Sequence, residues 1–523
     1  MKNILLIYLN PIDWASIAAP PYGLEILASV VVKLPVNVTI ENPFIYENPV
    51  QYTIELLQKH KPDLIGLSIR NMDNMAHVWD GEDSGEIASR CFIDEIEPVI
   101  RCIKANTTAE IVCGGVGFSI APRALLKKFG LQYGIKGPGE NTFEALVKCL
   151  IHEQDIETFV LNNTRELSGM VYVSGNIEIE NEIFDTININ NDNSEIKRVK
   201  EYCADWTGTT PVRVSYGCKG KCAYCVERNE AGNVHWRNLD NIIKEIEAVG
   251  KEGQRIWLAC SELNSPDEGP VMKLCDCIIK NQIRNTFSAY FLPSNFSAEL
   301  YRMLIKSGFV DNSICFGLTH VTDSILKANN IPFRRKNIED TMDILCSCGA
   351  KGLTIGFIIG LPGENEETLD ELAEWVIRTS KRFGKDFRCF VNSGVRIYPN
   401  TPMQRYADKT YSSHLYGQKE DYDLLKPLVF SDYLAPKIML EKLLSKTRTA
   451  EGLVSAYNLG NDLLKDKPEV FIYLQKAFIF KSVHKYDSAS ECLNTALEYT
   501  VRPDSRRKIN AEIIKLRVLS KKS

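Results

Sequence analysis

Short apolar runs alternate with amphipathic stretches through residues 1–154 of the chain. Five runs rich in aliphatic and β-branched residues have the length of strands, and patterns of helical period lie between them. The runs are NILLIYLN, NVTIENP, DLIGLSIR, AEIVCGGVG and YGIKGPGE. This alternation is typical of a parallel, doubly wound sheet with helices on both faces. We therefore predict an α/β domain over 1–154.

Unusual residues gather where these predicted strands end. Ligands of doubly wound sheets bind at the carboxyl ends of the strands, and glycine lets the backbone approach them closely. The candidate ligand-binding residues are Asn10, Ser68, Arg70, Asn71, Gly114, Gly115, Gly117, Phe118, Gly137, Gly139 and Glu140. Tight turns alone are the alternative explanation. We favour a ligand site because several strand ends carry such residues.

The pattern changes after this domain. Residues 155–208 predict a hairpin that turns at Ser174–Gly175–Asn176, followed by the Asn-rich polar linker TININNDNSEIK. A second strand–helix rhythm over 209–408 predicts a partial (β/α)6 barrel. Its strands are VRVSYG, RIWLACSE, FSAYFLP, SICFGL, GLTIGFIIGLPG and VNSGVRIYP.

The C-terminal part, 409–523, is predicted to be a helical domain. Its segment PEVFIYLQKAFIFKSVHKYDSASECLNTALEYT resembles one tetratricopeptide-type helical hairpin. One repeat does not stack into a solenoid. We expect the hairpin to pack against the barrel, and a partner surface is the alternative.

Composition narrows the class of protein. The chain has 523 residues, of which 44% are hydrophobic and 25% charged, as in an ordinary globular protein, and its formal net charge of −5 makes nucleic acid an improbable partner. No apolar run approaches the roughly 18–20 residues that span a bilayer. Sixteen cysteines without a recognisable secretion signal indicate a reducing compartment. We expect a cytoplasmic protein with no membrane partner.

Three cysteines are crowded into the stretch SYGCKGKCAYCVERN. Cys218, Cys222 and Cys225 follow a predicted strand, and neither Cys203 nor His235 completes a usual zinc spacing with them. An iron–sulfur cluster is normally held by four thiolates. Three would leave one iron open to another ligand. An open-iron cluster is the favoured interpretation, with structural zinc and chance clustering as alternatives.

This C-x3-C-x2-C loop, with Tyr224 before its last cysteine, resembles that of the radical S-adenosylmethionine (SAM) superfamily. The segments GLPGENEETLDE and GVRIYPNTPMQRYA resemble the fifth- and sixth-strand segments of that family, and ACSELN its second-strand acidic motif. The resemblance implies that the three cysteines hold a [4Fe-4S] cluster whose free iron binds SAM. It assigns SAM contacts to Tyr224, Ser261, Glu262, Gly360, Pro362 and Arg396, and for Arg396 a substrate acid or a structural ion pair within the barrel is the alternative. The sequence departs from the family where Cys260-Ser261-Glu262 replaces Gly-Gly-Glu, and FGLTHVTDSILK lacks an acidic residue after Gly-Leu.

The first domain is similar to the flavodoxin-like cobalamin-binding domain that precedes the barrel in one branch of this superfamily. VCGGVGFSIAP and YGIKGPGENTFEAL resemble the segments that surround cobalamin there. The D-x-H-x-x-G motif, whose histidine ligates cobalt in many relatives, is absent, and His60 and His77 lack its context. We hypothesise that Arg70 lies beneath the corrin and keeps strong ligands off cobalt. An ion pair of Arg70 with Asp73 or Asp80 is the alternative.

The resemblance implies a methyltransferase that moves a methyl group from SAM through cobalamin to a carbon or phosphorus of a small molecule or peptide. It further implies an external electron donor of flavodoxin or ferredoxin type. The RNMDN segment is similar to the subgroup that includes a tryptophan 2-C-methyltransferase. Tyr216, Tyr290 and His320 are weak candidates for a catalytic base.

Three other functions remain open at this point. A rearrangement or ring contraction would use both cofactors without net methylation. A tRNA-modifying methylthiotransferase would need further N-terminal cluster cysteines. A non-enzymatic cobalamin-binding protein would not need the cysteine loop.

Overall fold

The computed structural model describes residues 1–12, 19–74, 90–183, 209–227, 233–249, 255–409, 414–417, 425–447, 468–482, 485–501 and 503–520. The chain divides into two compact units. One comprises 1–74, 91–210 and 461–523, and the other 75–90 and 211–460. The predicted linker over 184–208, with Cys203, and residues His77 and Asp80 lie outside the described residues.

The first unit is built on a seven-stranded sheet with the order β2-β1-β3-β4-β5-β6-β7. Its strands are β1 (Lys2–Leu9), β2 (Val36–Glu41), β3 (Leu64–Ile69), β4 (Glu110–Gly114), β5 (Tyr133–Ile135), β6 (Met170–Ser174) and β7 (Ile177–Glu180). Strands β1–β5 pair in parallel, which confirms the doubly wound sheet. The predicted hairpin is β6–β7, and it adds two antiparallel strands to the edge next to β5.

Helices cover this sheet because each presents one apolar face to it. They are α1 (Tyr22–Val31), α2 (Pro49–His60), α3 (Phe92–Asn106), α4 (Val116–Ile120), α5 (Pro122–Phe129), α6 (Glu140–Ile151) and α7 (Ile156–Asn162). In α3, Phe92, Ile96, Val99 and Ile103 recur at helical spacing and are buried. Strand β1 is buried over its last six residues, as expected for a parallel strand covered on both faces.

Three C-terminal helices belong to this first unit. They are α16 (Pro468–Ser482), α17 (Tyr486–Tyr499) and α18 (Pro503–Ser520). Their apolar core includes Ile12 and Ile45 of the first domain, and the Phe480 ring meets Tyr46 edge-on with centroids 5.7 Å apart. The expectation that the hairpin packs against the barrel is therefore wrong. Helical spacing in the sequence identified the hairpin. The domain against which the hairpin packs is determined by contacts between residues more than 400 positions apart, which the spacing does not reveal.

The second unit contains the six-stranded partial barrel, with the order β15-β14-β13-β12-β11-β8. Its strands are β8 (Thr209–Arg213), β11 (Arg255–Ala259), β12 (Thr286–Phe291), β13 (Phe309–Thr319), β14 (Leu353–Ile359) and β15 (Phe387–Ser393). The short strands β9 (Ser215–Tyr216) and β10 (His235–Trp236) form an antiparallel pair beside it. Its helices are α8 (Leu239–Val249), α9 (Gly269–Lys280), α10 (Ala298–Ser307), α11 (Asp323–Ala328), α12 (Arg335–Ser347) and α13 (Glu366–Phe383).

Alternate residues of each barrel strand face two different environments. On β15, Phe387, Cys389 and Val391 are buried in the apolar core shared with the helices. Arg388 and Phe390 point to the opposite face, which we call the inner face, and both are exposed. This alternation is the period of two expected of a strand.

Residues after the barrel strands do not form a purely helical domain. Strands β16 (Val395–Arg396), β17 (Leu415–Gly417) and β18 (Leu428–Phe430) make a small antiparallel sheet. The helices α14 (Pro402–Ala407) and α15 (Pro436–Lys446) accompany it. This segment belongs to the barrel unit, which therefore extends past the predicted boundary at 408 to Gly460.

None of the described helices is both long and apolar enough to cross a lipid bilayer.

The contact between the C-terminal helices and the first domain predicts a stability effect. Phe480 is 6% exposed and packs on Tyr46, so Phe480→Ala should lower the free energy of unfolding by about 3–5 kcal/mol. Ile514 lies on α18 and is 62% exposed, so Ile514→Ala should change it by no more than about 0.5 kcal/mol. Urea unfolding followed by circular dichroism measures both. Equal effects of the two substitutions would contradict this packing.

Candidate active site

The three cysteines lie in a loop that leaves the barrel after β9. Gly217 opens the loop with a φ of +83°, a conformation that favours glycine. The Gly220 amide donates to Cys218 Sγ at 3.2 Å. A Cβ at Gly220 would lie 3.2 Å from Cys218 Sγ and 3.6 Å from Cys222 Sγ. The loop thus wraps closely around its own sulfur atoms.

The chemistry of these thiols fits an iron–sulfur cluster. Burial raises the pKa values of both Cys218 and Cys222 to about 12, with further increases from Glu262 on Cys218 and from Cys225 on Cys222. A positively charged metal centre is needed to keep them as thiolates near neutrality. Among the described residues, no three His, Cys, Asp or Glu side chains could hold a single metal ion. A cluster offers each thiolate a different iron, whereas a structural zinc site takes four ligands on one ion.

Tyr224 connects the cysteine loop to the end of β13 through a hydrogen bond. Its hydroxyl lies 2.8 Å from Thr319 Oγ1, and burial raises the pKa of Tyr224. Thr319 has a φ of +62°, which is strained for a β-branched residue. The pairing of β13 with β14 is irregular between Gly317 and Thr319. The strand end is therefore bent at the point where it contacts the cysteine loop.

A second side of the site is acidic. Glu262 Oε2 lies 3.6 Å from Cys218 Sγ, and burial raises the pKa of Glu262 to about 7. Ser261 Oγ lies 3.1 Å from the Gly217 carbonyl oxygen and 3.0 Å from Glu227 Oε1. The structure thus brings Glu262 to the cysteine loop and uses Ser261 to hold the loop. Glu227 was missed by sequence reasoning, although it stands only two residues after Cys225.

The turn after β14 forms a third side. Gly360 has a φ of +94°, and a Cβ there would lie 2.7 Å from Ser431 Oγ, so only glycine fits. Glu364 Oε2 accepts a hydrogen bond from the Gly360 amide at 2.8 Å. The carbonyl of Pro362 accepts one from Asn329 Nδ2 at 3.3 Å. The turn is therefore fixed by two buried side chains, neither of which the sequence singled out.

The structure argues against a SAM contact by the Arg396 side chain. Arg396 lies on β16 and is 6% exposed. Its guanidinium donates to the Ile397 carbonyl and stacks over the Tyr398 ring, with the guanidinium carbon 4.8 Å from the ring centroid. These contacts give it a structural role in the small sheet.

Of the three weak catalytic candidates, His320 is excluded by burial. It is 0% exposed, and its Nδ1 accepts a hydrogen bond from the Thr322 amide at 3.1 Å. Tyr216 is buried, with the Arg213 guanidinium over its ring. Tyr290 is 47% exposed on the inner face, so it alone of the three is open to a ligand.

His320 and Glu364 form a buried pair. His320 Nε2 lies 3.8 Å from Glu364 Oε1, and neither atom has a hydrogen-bond partner among the described residues. Burial lowers the pKa of His320 to about 3. Burial also raises the pKa of Glu364 to about 8, opposed by the Gly360 and Leu361 amides. The histidine is therefore neutral near pH 7.

The carboxyl edge of the first sheet gathers the other predicted residues. Leu9, which precedes Asn10, is in register with Ile69, which precedes Arg70, so the two predicted residues follow paired strand ends. Ser68 is in register with Gly114, and the Gly137 amide donates to Ser119 Oγ at 2.9 Å. The ends of β1, β3, β4 and β5 therefore meet at one edge.

Glycines make this edge compact. A Cβ at Gly115 would lie 2.5 Å from the Ile69 carbonyl oxygen, and one at Gly117 would lie 3.0 Å from that of Arg70. Gly114, Gly137 and Gly139 are part-exposed and leave a strip of backbone without side chains. Such a strip fits a ligand held between strand ends, as a bound cobalamin requires.

Three predicted contacts at this edge have a different environment from the one expected. Phe118 is fully buried, and its ring fills the space beside Gly134, so its side chain does not face a ligand. Glu140 is the first residue of α6 and is 7% exposed. Arg70 is half-buried, and its charge opposes the rise that burial causes in the pKa of Tyr8, a neighbour that the sequence did not suggest.

Comparison with known proteins identifies both parts of the molecule. The radical SAM superfamily model matches residues 212–376, and the B12-binding domain model matches residues 17–147. The chain therefore carries a B12-binding domain followed by a radical SAM domain. Its cofactors are a [4Fe-4S] cluster, SAM and cobalamin.

Curated and solved proteins are similar to different extents of the chain. The ribosomal protein uS12 methylthiotransferase RimO of Campylobacter jejuni is 27% identical over 34% of this chain, which spans only 40% of that protein. Tryptophan 2-C-methyltransferase of Streptomyces laurentii is 22% identical over 61% of each chain. The structure of the radical SAM methyltransferase TsrM from Kitasatospora setae with cobalamin and a [4Fe-4S] cluster shares the fold. Its TM-score is 0.72 at 17% identity, over 95% of this chain and 100% of that chain.

The buried pair predicts how stability depends on pH. The raised pKa of Glu364 means that the folded state keeps its proton up to about pH 8, whereas the unfolded state loses it near 4.5. Stability is therefore present at low pH and is lost as pH rises towards 8. Relative to Glu364→Gln, in which the unfolded-state titration of His320 is the same, the wild type should lose on the order of 1–3 kcal/mol between pH 6.5 and 8.5.

Denaturant unfolding at several pH values measures this difference. Glu374 is exposed on α13, the helix that follows Glu364, and Glu374→Gln should leave the pH dependence unchanged. Parallel stability curves for the wild type and Glu364→Gln would show that the buried carboxyl does not titrate in this range.

Proposed function

We propose that the protein is a cobalamin-dependent radical SAM methyltransferase that transfers a methyl group to carbon or phosphorus of a small molecule or peptide in secondary metabolism. One observation carries the proposal: a single chain combines a loop wrapped closely around its cysteine sulfur atoms with a sheet edge suited to cobalamin. When bound, cobalamin supplies a methyl carrier, and the cluster with SAM supplies a one-electron route to a substrate radical.

The residues have distinct parts in this proposal. Cys218, Cys222 and Cys225 would hold the cluster, and Glu262 beside Cys218 would accept a hydrogen bond from the SAM amino group. The Gly360–Pro362 turn and Tyr224 would line the adenosyl part of SAM. At the sheet edge, Arg70, which follows β3, would present its cation to the lower face of the corrin.

The inner face of the barrel is where we place the substrate. Gly317, Gly356 and Phe390 lie in register on adjacent strands. A Cβ at either glycine would meet no atom within 4 Å. The two glycines therefore leave an open patch on the inner face of the sheet, which we call the floor. Phe390 is 39% exposed beside it. Such a floor accepts a flat group lying on the sheet.

A second row of paired residues, two positions earlier on β13, β14 and β15 and continuing onto β12, adds aromatic and cationic side chains. Tyr290 and Arg388 lie at its two ends, separated by Cys315 and Thr354. Tyr290 meets Trp257 edge-on, with centroids 5.3 Å apart. Arg388 offers a bidentate partner for a carboxylate. A planar aromatic acid fits this combination, and tryptophan, named for the Streptomyces laurentii relative, is the first substrate to test.

Alternative activities receive less support. For a methylthiotransferase, the N-terminal cysteines should be free to hold a second cluster, but Cys102, Cys113 and Cys149 are each buried within a helix or strand. A rearrangement without net methylation uses the same cofactors and is distinguished by product mass. An external flavodoxin- or ferredoxin-type donor and a cytoplasmic location complete the proposal.

Reconstitution tests the proposed function. Purified without oxygen and supplied with iron, sulfide and hydroxocobalamin, the protein should bind both a cluster and a corrin. With SAM labelled in its methyl group, a reductant and a panel of aromatic amino acids and peptides, mass spectrometry should find one labelled methyl group in the product. Cys225→Ala should retain the corrin and lose the cluster. Bound zinc, no retained corrin, or a product of unchanged mass would overturn the proposal.

A substitution on the floor separates substrate binding from cofactor binding. Gly317→Leu has room for its side chain and replaces a glycine in a strand, so the protein should fold at least as stably. It should reduce methyl transfer to substrate by about a hundredfold or more, because the side chain fills the floor. Formation of methylcobalamin, followed by absorbance, should be unchanged. Val310→Leu, at an exposed position of the same strand, is the control. A loss of methylcobalamin formation in Gly317→Leu would instead place SAM on this floor.

A further inference from the structure

A short segment between β13 and α12 contains several fully buried polar side chains. His320 and Asn329 are both 0% exposed. Asn329 ends α11, and its Nδ2 donates to the Ile325 carbonyl four residues earlier at 2.9 Å. Burying an amide is costly unless it is hydrogen-bonded. The position of Asn329 therefore needs an explanation beyond closing a helix of six residues.

Other asparagines make the same side-chain hydrogen bond at the end of a helix, but they are not fully buried. Asn106, Asn163 and Asn281 each donate Nδ2 to the carbonyl four residues earlier. Asn281 also ends its helix, α9, with backbone angles close to those of Asn329, φ −82° and ψ 3° against φ −98° and ψ 15°. Asn281 is exposed. It provides the same cap without any further role.

Asn329 makes two bonds beyond its own helix. Its backbone carbonyl accepts from the Ala223 amide at 2.9 Å, inside the cysteine loop. Its Nδ2 donates to the Pro362 carbonyl at 3.3 Å, in the turn after β14. One residue is thus bonded both to the loop between Cys222 and Cys225 and to the turn on the opposite side of the site.

The surroundings strengthen these bonds. Ala223, Ile325, Leu361 and Met403 pack together in one apolar cluster, which excludes water from the hydrogen bonds among them. A hydrogen bond in such a low-dielectric environment is stronger than an exposed one. The Met403 amide adds a bond to the Ala223 carbonyl at 2.9 Å. Both polar groups of the Ala223 backbone are therefore bonded outside the loop.

We propose that Asn329 is a positioning residue that holds the cysteine loop and the Gly360–Pro362 turn at a fixed separation, so that SAM bound at the cluster meets both. The proposal rests on the proposed function for the identity of the cofactor. Asn329 touches no reacting atom. It acts by keeping two irregular segments, which have no regular pairing of their own, in one arrangement.

Two variants test this role. Asn329→Ser retains a hydroxyl that can bond the Ile325 carbonyl but is too short to reach Pro362. Asn329→Leu keeps the branched shape and removes both side-chain bonds. Asn281→Leu removes the same cap bond at an exposed helix end. Thr341→Val removes a fully buried bond to another proline carbonyl, that of Pro293 at 2.9 Å, away from the loop.

The first measurement needs no cofactor. Amide hydrogen exchange in the peptide covering 358–364 should be about tenfold faster in both Asn329 variants, because the turn loses its side-chain bond to residue 329. Exchange in the peptide covering 216–227 should also be faster, because residue 329, whose backbone carbonyl still accepts from Ala223, is then no longer bonded to the turn. The two control variants should leave exchange in these peptides unchanged. Unchanged exchange in both Asn329 variants, or equal acceleration in Thr341→Val, would overturn the proposal.

The second measurement concerns SAM binding by the reconstituted protein. The dissociation constant of SAM, from equilibrium dialysis, should rise about tenfold in Asn329→Ser. The change that SAM causes in the electron paramagnetic resonance spectrum of the reduced cluster should weaken in parallel. Cobalamin retention should match that of the wild type. If SAM binds normally in Asn329→Ser, the positioning role is wrong. If SAM binding responds as expected but no product is methylated, the proposed function fails and the positioning role stands.

Discussion

The site depends on one constraint: three thiols must be held in place by a loop that has no regular secondary structure of its own. A helix or strand satisfies its backbone groups internally, but this loop cannot, so its neighbours must supply the bonds. Ala223 is bonded through its amide to Asn329 and through its carbonyl to Met403. Tyr224 is bonded through its hydroxyl to Thr319. The two residues between Cys222 and Cys225 thus anchor the loop.

The same constraint explains the strain at the end of β13. A left-handed backbone at a threonine costs on the order of 1–3 kcal/mol and persists only where neighbouring contacts fix it. Here the strained residue is Thr319, whose hydroxyl meets Tyr224. The strand end also departs from regular register with β14. The barrel is therefore distorted where it supports the loop and is regular elsewhere along the same pair of strands.

Sequence reasoning succeeded wherever the information was local. Alternation of apolar runs and helical patterns predicted both sheets, and the spacing of the cysteines predicted the loop. It failed where a side chain's role depends on distant contacts. His320 looked like a possible base until its burial was known, and Arg396 looked like an anion-binding group until its stacking on Tyr398 was known. The C-terminal hairpin was identified by its period, but its packing partner, around Ile12, Ile45 and Tyr46, has no signal in the hairpin's own sequence.

Glycine shows most clearly why a residue type alone does not define a role. At Gly115 a side chain would collide with the Ile69 backbone, so that glycine is required for two strand ends to meet, whether or not a ligand is bound. At Gly317 a side chain would meet nothing, and the strand would be more stable with one. Gly317 weakens its own strand and is not needed to avoid a collision. Its presence is therefore explained by a ligand that occupies the open space beside it. Gly115 by itself is therefore weak support for a ligand, whereas Gly317 is strong support for one, and at the sheet edge the support comes from the part-exposed Gly114, Gly137 and Gly139.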